Sequence, residues 1–588
     1  MPDRGDRQPQ GLLAYQYKLA LQNSQQAAQE QCSSELKRYQ DSVHQDPQSA
    51  DAYIKLAACY KALGQYAKAL SVLREGVDRC PPGKDLYRAY IGSLKHGNRI
   101  EEAIRAADQC LLAFPDASDV RLKKRLILPI LYNTPEEIDH YRRRYRAELD
   151  AFCRETTLDT AAGRVSALKA VKGWANFYLA YQGRNDRVVQ HQYGQLLNRV
   201  MAANYPQWAG RAAVPPRPPA GKLRVGYVSS CVYDHSVMKS HLGWIHEHDK
   251  SKVDLYIYYT GTTVDSTTEE VKRNNPQFRH TPGDLEGACE AIVRDRLHLL
   301  VFLDIGMSPI TGLMGALRLA AVQCVTWGHP MTPGLDTIDY FLSSDLMEPD
   351  NAEEHYCEQL VRLPGIGIWY RKPVIPRALL WKRRGDFGLR DDAVLYLSCQ
   401  SIFKYLPEHD HVFAEIAGRV PSAQFVFLAS NELVAGDFYK RLDRAFRAMG
   451  LIAGKHCVMA PQMGQLDYWN LNLVCDIYLD TMTWSGCNST MEAIACDLPV
   501  VTTPGEFMRG RHSYAILTQL GVTETIAHDK AAYVDLAVRL GVDVEWRKSI
   551  VARMREQSSR LYGDRSCVRA LEAFYERVVE DRLRRNAS

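Results

Sequence analysis

No two of the 15 cysteines in this 588-residue chain form a C-x-x-C pair. They lie singly among apolar residues, as Cys324 and Cys475 do, and an odd, irregularly spaced set does not make a disulfide framework. The expectation is a reducing compartment, and with it a cytoplasmic location. The N-terminus (MPDRGDRQPQ) lacks the apolar core of a signal peptide. No apolar run has the length of a membrane span; the longest, near Leu299–Ile305, reads as a buried strand. The net charge of +4 is too small to argue for nucleic acid or a membrane surface, and the basic end (RLRRNAS) reads as a solvated helix terminus. Neither G-x-G-x-x-G after a first strand nor G-x-x-x-x-G-K-[ST] is present, so a nicotinamide dinucleotide site is unsupported. HEHD (His246–Asp249) and EHDH (Glu408–His411) have metal-like composition. Their i, i+2 spacing splits ligands across a helix, however, and no second ligand set accompanies them. No metal is expected.

What the chain does have is length for about three domains and an ordinary globular composition, 46% hydrophobic and 24% charged. From Asp51 to Pro115 it repeats every 34 residues: Tyr53, Ala69 and Pro81 recur as Tyr87, Ala103 and Pro115. Tyr53, Leu56, Ala57, Tyr60, Ala69, Leu73 and Pro81 have the spacing of a tetratricopeptide repeat. Large residues form a packing face, small Ala69 admits a close partner helix, Gly64 turns the chain and proline ends the pair. In the second unit Tyr90, Ile91 and Leu94 replace the usual types. So few units need flanking helices to cover them, expected over 12–45 and 116–150. The repeat face reads either as a peptide-binding surface or as a brace for the neighbouring domain. The helical arm is placed at 12–150 and a helical connecting region at 151–220, ending in PQWAGRAAVPPRPPAGK, whose prolines and glycines cannot continue a helix.

Strands and helices then alternate. Leu223–Ser230, Val253–Tyr259, Leu299–Asp304 and Val322–Trp327 read as strands, with Leu285–Arg296 as a helix among them. VLYLS, QFVFLAS, CVMAP, DIYLDT and LPVVTTP form a second set. This alternation predicts parallel sheets covered on both faces. One half is placed at 221–385 and the other, with a terminal helix, at 386–588, joined by a proline-containing crossover at Leu363–Arg384. A ligand cleft is expected between the carboxyl ends of their strands.

Four stretches there can carry chemistry. After strand DIYLDT, Gly486 leads into a helix start at Cys487–Ser489, where open N–H groups attract phosphate and Asn488 and Ser489 offer caps. Glu492, one turn in, can accept from a ribose diol. Arg509 and Arg511 add positive charge. The same stretch also reads as an ordinary capped helix. Lys404, just past strand VLYLS, can neutralise a departing diphosphate or be a plain surface lysine, with Gln400 and Ser401 as neutral donors beside it. His235, after the first strand, is an acid, base or phosphate donor, or simply a loop histidine held by backbone. WGHPMTPG (Trp327–Gly334) is a tight loop that lines a sugar pocket or only turns the chain.

Taken in order, LRVGYVSS…DH, AAVQCVTWGHPMTPGLDTIDYFLSSDLMEP, QSIFKYLPE, DIYLDT…G…ME and PVVTTPGE…R resemble the O-linked N-acetylglucosamine transferase family in its bacterial form. The resemblance covers about Leu223 to Val578, NFYLAYQGRNDR (Asn176–Arg187) is similar to that family's inter-domain helical region, and a tetratricopeptide arm in front is the family arrangement. It implies a GT-B fold, two Rossmann-like domains with a cleft between. It also implies an inverting transfer of a sugar, N-acetylglucosamine, from a UDP donor to Ser or Thr hydroxyls of protein or peptide acceptors. The UDP-sugar is then a substrate, and no cofactor or essential metal is expected. In that resemblance Lys404 matches the lysine that stabilises the diphosphate and His235 the active-site histidine. Asn488 and Ser489 stand where two threonines contact phosphate. Glu492 stands for a ribose-binding aspartate, Ala460 falls where a backbone group meets uracil, and Tyr468 falls where a ring stacks on that base. Gln400 is displaced by one position from the family glutamine, Ser401 filling its place. Gln462 and Cys487 replace a basic residue and a histidine. The loop after His235, HSVMKSHL, is two residues longer and resembles that of the cytoplasmic N-glucosyltransferases of adhesins, which implies UDP-glucose and asparagine as the alternative pair. A third reading is a repeat scaffold whose transferase half binds nucleotide without turnover.

Overall fold

The computed structural model describes residues 33–210, 212–217 and 221–587. Of the flanking helix expected over 12–45, residues 12–32 lie outside the described residues, and 33–45 are helical.

The repeats form as their spacing requires. Helix Ala50–Ala62 packs on Tyr66–Arg79, and Lys84–His96 on Ile100–Ala113. Tyr53, Leu56, Ala57, Tyr60, Ala69 and Leu73 are buried between them, and Gly64 turns the chain at φ +71°. In the second unit Tyr90, Ile91 and Leu94 take the buried positions. Helices Ser118–Leu126 and Pro135–Glu155 extend the arm; Thr134 caps the latter by accepting from the Glu137 N–H. A boundary at 150 therefore cuts a continuous 21-residue helix, and the arm runs to Glu155. Nothing in the sequence breaks that helix at 150, so its amphipathic face continues without interruption.

The arm does not stand apart. Glu432 accepts from the Ala67 N–H at 2.8 Å, Asn431 Nδ2 donates to the His96 carbonyl at 2.7 Å, and Arg441 donates to the Tyr132 carbonyl at 2.6 Å. These contacts join the turns of the arm to the second α/β half, as a brace would.

The first half is a seven-stranded parallel sheet: β1 (Leu223–Ser229), β2 (Val253–Tyr259), β3 (Phe278–His280), β4 (Leu299–Phe302), β5 (Val322–Thr326), β6 (Tyr340–Ser344) and β7 (Gln359–Leu363), in the order β3-β2-β1-β4-β5-β6-β7. The second half has five: β8 (Val394–Ser398), β9 (Ala423–Ala429), β10 (Cys457–Pro461), β11 (Ile477–Leu479) and β12 (Val500–Val501), ordered β10-β9-β8-β11-β12. All pair in parallel; Val225 of β1, for example, faces Leu255 and Leu299. Each order reverses beside its first strand, and at such a switch point the flanking loops splay apart and leave a crevice. This is the two-domain α/β architecture expected, with three strands beyond those read in the first half.

The terminal helix, Ser566–Ala587, does not stay with the second half, where 386–588 placed it. It crosses back onto the first sheet: Tyr575 OH meets Tyr227 OH at 3.0 Å, Arg582 pairs with Asp339 at 3.2 Å, and Glu572 accepts from the Asp249 N–H at 2.7 Å. Its apolar face carries Val568, Leu571 and Phe574, which only a second surface can bury.

Candidate active site

A cleft of about 410 Å³ opens between the carboxyl ends of the two sheets. His235 comes from the first half. Gln400, Lys404, Tyr468, Asn488, Ser489 and Glu492 come from the second, and all seven line the cleft. Ala460 and Arg511 are not among its lining residues. Ala460 is buried at the end of β10, and Arg511 donates to the Gly505 carbonyl at 3.2 Å and lies over Tyr514.

Lys404 follows β8 on a short 3₁₀ turn, Ile402–Lys404. Its Nζ donates to Gln400 Oε1 at 2.8 Å and lies 5.6 Å from the Trp484 ring. It makes no ion pair among the described residues. Part of its surface stays open to the cleft, but protein crowds it closely enough for desolvation to pull its ammonium down to about 8. A cation in that condition gains from any anion that enters.

Gln400 fixes the opposite side. Its Nε2 donates to Ser489 Oγ at 2.7 Å and to Tyr478 OH at 2.9 Å. Gly486 is required beside this network, because a Cβ there would come within 2.4 Å of Ser489 Oγ and 2.6 Å of Gln400 Nε2. The loop is held by buried Asp480, which accepts from the Gly486 N–H at 2.8 Å and from Ser485 and Thr502 hydroxyls at 2.6 and 2.7 Å.

Helix Asn488–Ala495 starts at the cleft. Its N-cap is Cys487, and no side chain caps it. Asn488 and Ser489 are thus the first helical residues and not caps; Asn488 Nδ2 donates to the Ser236 carbonyl across the cleft at 3.1 Å. The uncapped start leaves backbone N–H groups and the positive end of the helix for an anion. Tyr468 OH meets Cys399 Sγ at 3.2 Å.

His235 is the N-cap of helix Ser236–His246, where its Nδ1 accepts from the Val237 N–H at 3.2 Å. Burial lowers its pKa, so the ring is neutral and the bond at Nδ1 leaves the proton on Nε2. In this tautomer His235 is a hydrogen-bond donor to the cleft.

Arg509, which sequence grouped with Arg511 as positive charge favouring an anionic ligand, is committed elsewhere. It is buried against Asp186 at 3.2 Å and donates to the Arg184 carbonyl at 2.7 Å. Arg509 thus fixes the connection between the helical region and the second half, whereas Arg511 stays within the second half on Gly505 and Tyr514.

Four contributors are not legible from sequence. Lys239, one turn along from His235, reaches Glu492 Oε1 at 3.2 Å. Trp484 and Tyr181 stack with centroids 4.0 Å apart and wall the cleft beside Lys404. His512 is buried there as well and held near 3 by desolvation, so it is neutral. NFYLAYQGRNDR and WGHPMTPG, which supply Tyr181 and His329, stand out as motifs. The residues that face inward from them do not. Among the described residues no three of His, Cys, Asp and Glu are placed to hold a metal ion. HEHD is structural in part: His248 bonds Tyr227 and Glu572 at 2.9 and 3.2 Å. Among the described residues no helix is long and apolar enough to cross a membrane.

Comparison with known proteins agrees with this layout. The closely spaced helices match a tetratricopeptide repeat model at residues 39–71. A probable UDP-N-acetylglucosamine–peptide N-acetylglucosaminyltransferase SPINDLY of Solanum lycopersicum is 25% identical over 375 residues, 60% of this chain and 38% of that protein. The similarly named SEC protein of Arabidopsis thaliana is 23% identical over 389 residues, 62% of this chain and 38% of its own length. The chain spans well under half the length of these curated relatives. An O-GlcNAc transferase mutant of Thermobaculum terrenum shares the fold along the whole of both chains, with a TM-score of 0.67 at 21% identity. The model of glycosyl transferase family 41 matches residues 185–367 and 372–571, more than half of the chain, and the chain belongs to that family.

Proposed function

We propose that this chain is an inverting protein glycosyltransferase of the cytoplasm that moves N-acetylglucosamine from UDP to Ser or Thr hydroxyls of protein or peptide acceptors. One observation carries the reading: a lysine with no acid partner among the described residues, an uncapped helix start and a carboxylate share one cleft between two Rossmann-like sheets. The diphosphate is placed between Lys404 and the N–H groups near Asn488 and Ser489, the ribose at Glu492 and the base near Tyr468. The acceptor hydroxyl attacks the anomeric carbon from the face opposite the departing UDP. Charge builds on the leaving diphosphate, and Lys404 meets it in a partly desolvated site, where such a contact is worth most. His235, as a donor through Nε2, steadies an oxygen of donor or acceptor, and the hydroxyl proton passes to an oxygen of the departing diphosphate or to water. No metal is needed in this scheme. The names of the relatives, which specify UDP-N-acetylglucosamine and peptide, support donor and acceptor.

The test is incubation of the purified protein with radiolabelled UDP-N-acetylglucosamine and UDP-glucose, with mass spectrometry of labelled peptides. Sugar on Ser or Thr supports the proposal, and sugar on Asn replaces it. Lys404→Ala should abolish labelling while leaving the melting transition intact; unchanged turnover rejects the assignment.

A further inference from the structure

Lys239 lies in the first α/β half, on helix Ser236–His246, yet its strongest contacts are in the second. Its Nζ donates to Gln465 Oε1 at 3.1 Å and to Glu492 Oε1 at 3.2 Å. Gln465 Nε2 in turn donates to the same Glu492 oxygen at 3.2 Å. The three side chains close a triangle across the cleft. Asp234, 3.7 Å from the ammonium, is its other acidic neighbour. Next to the triangle Asn488 donates to the Ser236 carbonyl, so the same two helices meet twice.

The geometry divides the Glu492 carboxylate into two ends. Oε1 is engaged twice; Oε2 makes no hydrogen bond among the described residues, and Glu492 lines the cleft. Burial pushes the carboxyl pKa up, which works against an ionised acceptor, and Lys239 and Gln465 pull it down. Without Lys239 the side chain would lose both its orientation and the charge that keeps it a two-lone-pair acceptor.

We propose that Lys239 is a positioning residue for nucleotide recognition: from the first α/β half it orients Glu492 so that Oε2 accepts from the ribose diol. This rests on the reading of the cleft as a nucleotide-sugar site.

The experiment measures Kd by calorimetry for UDP and 2′-deoxy-UDP, and kcat and KM for the UDP-sugar, in the wild type, Lys239→Met and Lys239→Arg. Expected is an about tenfold preference of the wild type for UDP over the deoxy analogue, as one charged hydrogen bond supplies. Lys239→Met should reduce that preference to near unity and raise KM by about tenfold, with kcat changed far less. Lys239→Arg should restore part of both. Thermal unfolding of each variant shows that the fold is retained. A Lys239→Met protein that still discriminates the two nucleotides overturns the proposal alone. A wild type that binds neither overturns the nucleotide reading and this inference with it.

Discussion

Two cations in the second half sit a short way apart and behave oppositely. Arg441 is buried between the repeat arm and the second α/β half, where Asp410 holds it at 2.6 and 3.0 Å and the carbonyls of Tyr132 and Tyr405 accept from it at 2.6 and 2.8 Å. Lys404, about forty residues earlier in the chain, has one hydrogen bond, to Gln400, the Trp484 ring at 5.6 Å, and no carboxylate in ion-pair contact among the described residues. The first is scaffold, its charge answered on every side. The second is a charge kept waiting, and folding alone gives no reason to keep it. Within one domain, the completeness of its partners separates a structural cation from a functional one better than burial does. Arg509, clamped on Asp186, falls on the scaffold side of that division.

The largest expected effect lies on the scaffold side. Asp410→Ala would leave the Arg441 guanidinium buried without its counter-charge, a loss of about 3–5 kcal/mol. Urea unfolding should show the midpoint falling strongly, and the seam between arm and domain loosening should make the arm sensitive to limited proteolysis. A loss under about 1 kcal/mol would mean that water reaches Arg441 and the contrast with Lys404 is false.

Lys404→Met should do the reverse. Turnover should fall by about 10²–10³-fold, as removal of a leaving-group cation does. The melting temperature of the nucleotide-free protein should stay level or rise, because an apolar chain of similar length replaces a desolvated ammonium. A variant that loses stability as well as activity would place Lys404 with Arg441.

The same contrast has a pH signature. With its ammonium near 8, Lys404 is protonated below that pH both with and without a bound anion, so nucleotide affinity should be flat there. An anion raises the pKa of the cation beside it. Above about pH 8 binding must therefore take up a proton, and affinity should fall by up to about tenfold per pH unit. Calorimetry of UDP binding from pH 7 to 9.5 checks this. Arginine stays charged throughout, so a site built on Arg509 or Arg511 would show no such slope.

How much of the molecule is legible in its sequence tracks the range of the interactions involved. The repeat period, the proline linker and the strand–helix alternation are local patterns, and they reveal the arm and both sheets. Lys404, His235, Gln400, Asn488, Ser489 and Glu492 stand out because each follows a strand end, where cleft residues must lie, whereas Tyr468 is reached only through the family resemblance. The edge strands β3 and β7 do not, because they are short and partly polar; parallel neighbours, not their own residues, make them strands. The terminal helix, the Arg509–Asp186 clamp and the Lys239–Glu492 pair join residues more than 240 positions apart, and no spacing rule reaches that far. Asn488 and Ser489 read as caps from residue type, yet Gly486 and Cys487 carry the chain only as far as an uncapped start, the helix begins at Asn488 itself, and both side chains serve the cleft.

Ser489 gives the smallest and most discriminating test. Its hydroxyl accepts from Gln400 Nε2 and shares a hydrogen bond of 2.9 Å with Tyr478 OH. Ser489→Ala removes one partner from a network whose other members still have each other, so stability should drop by about 1 kcal/mol or less. If the hydroxyl also meets a phosphate oxygen, UDP affinity should fall by about three- to tenfold, more than the change in stability explains, since one hydrogen bond to a charged group is lost while Tyr478 still holds Gln400. Uridine, which carries no phosphate, should lose nothing. Equal losses for UDP and uridine would show that Ser489 acts through the fold, and would move the helix start from the functional side of the comparison to the scaffold side, where Arg441 stands.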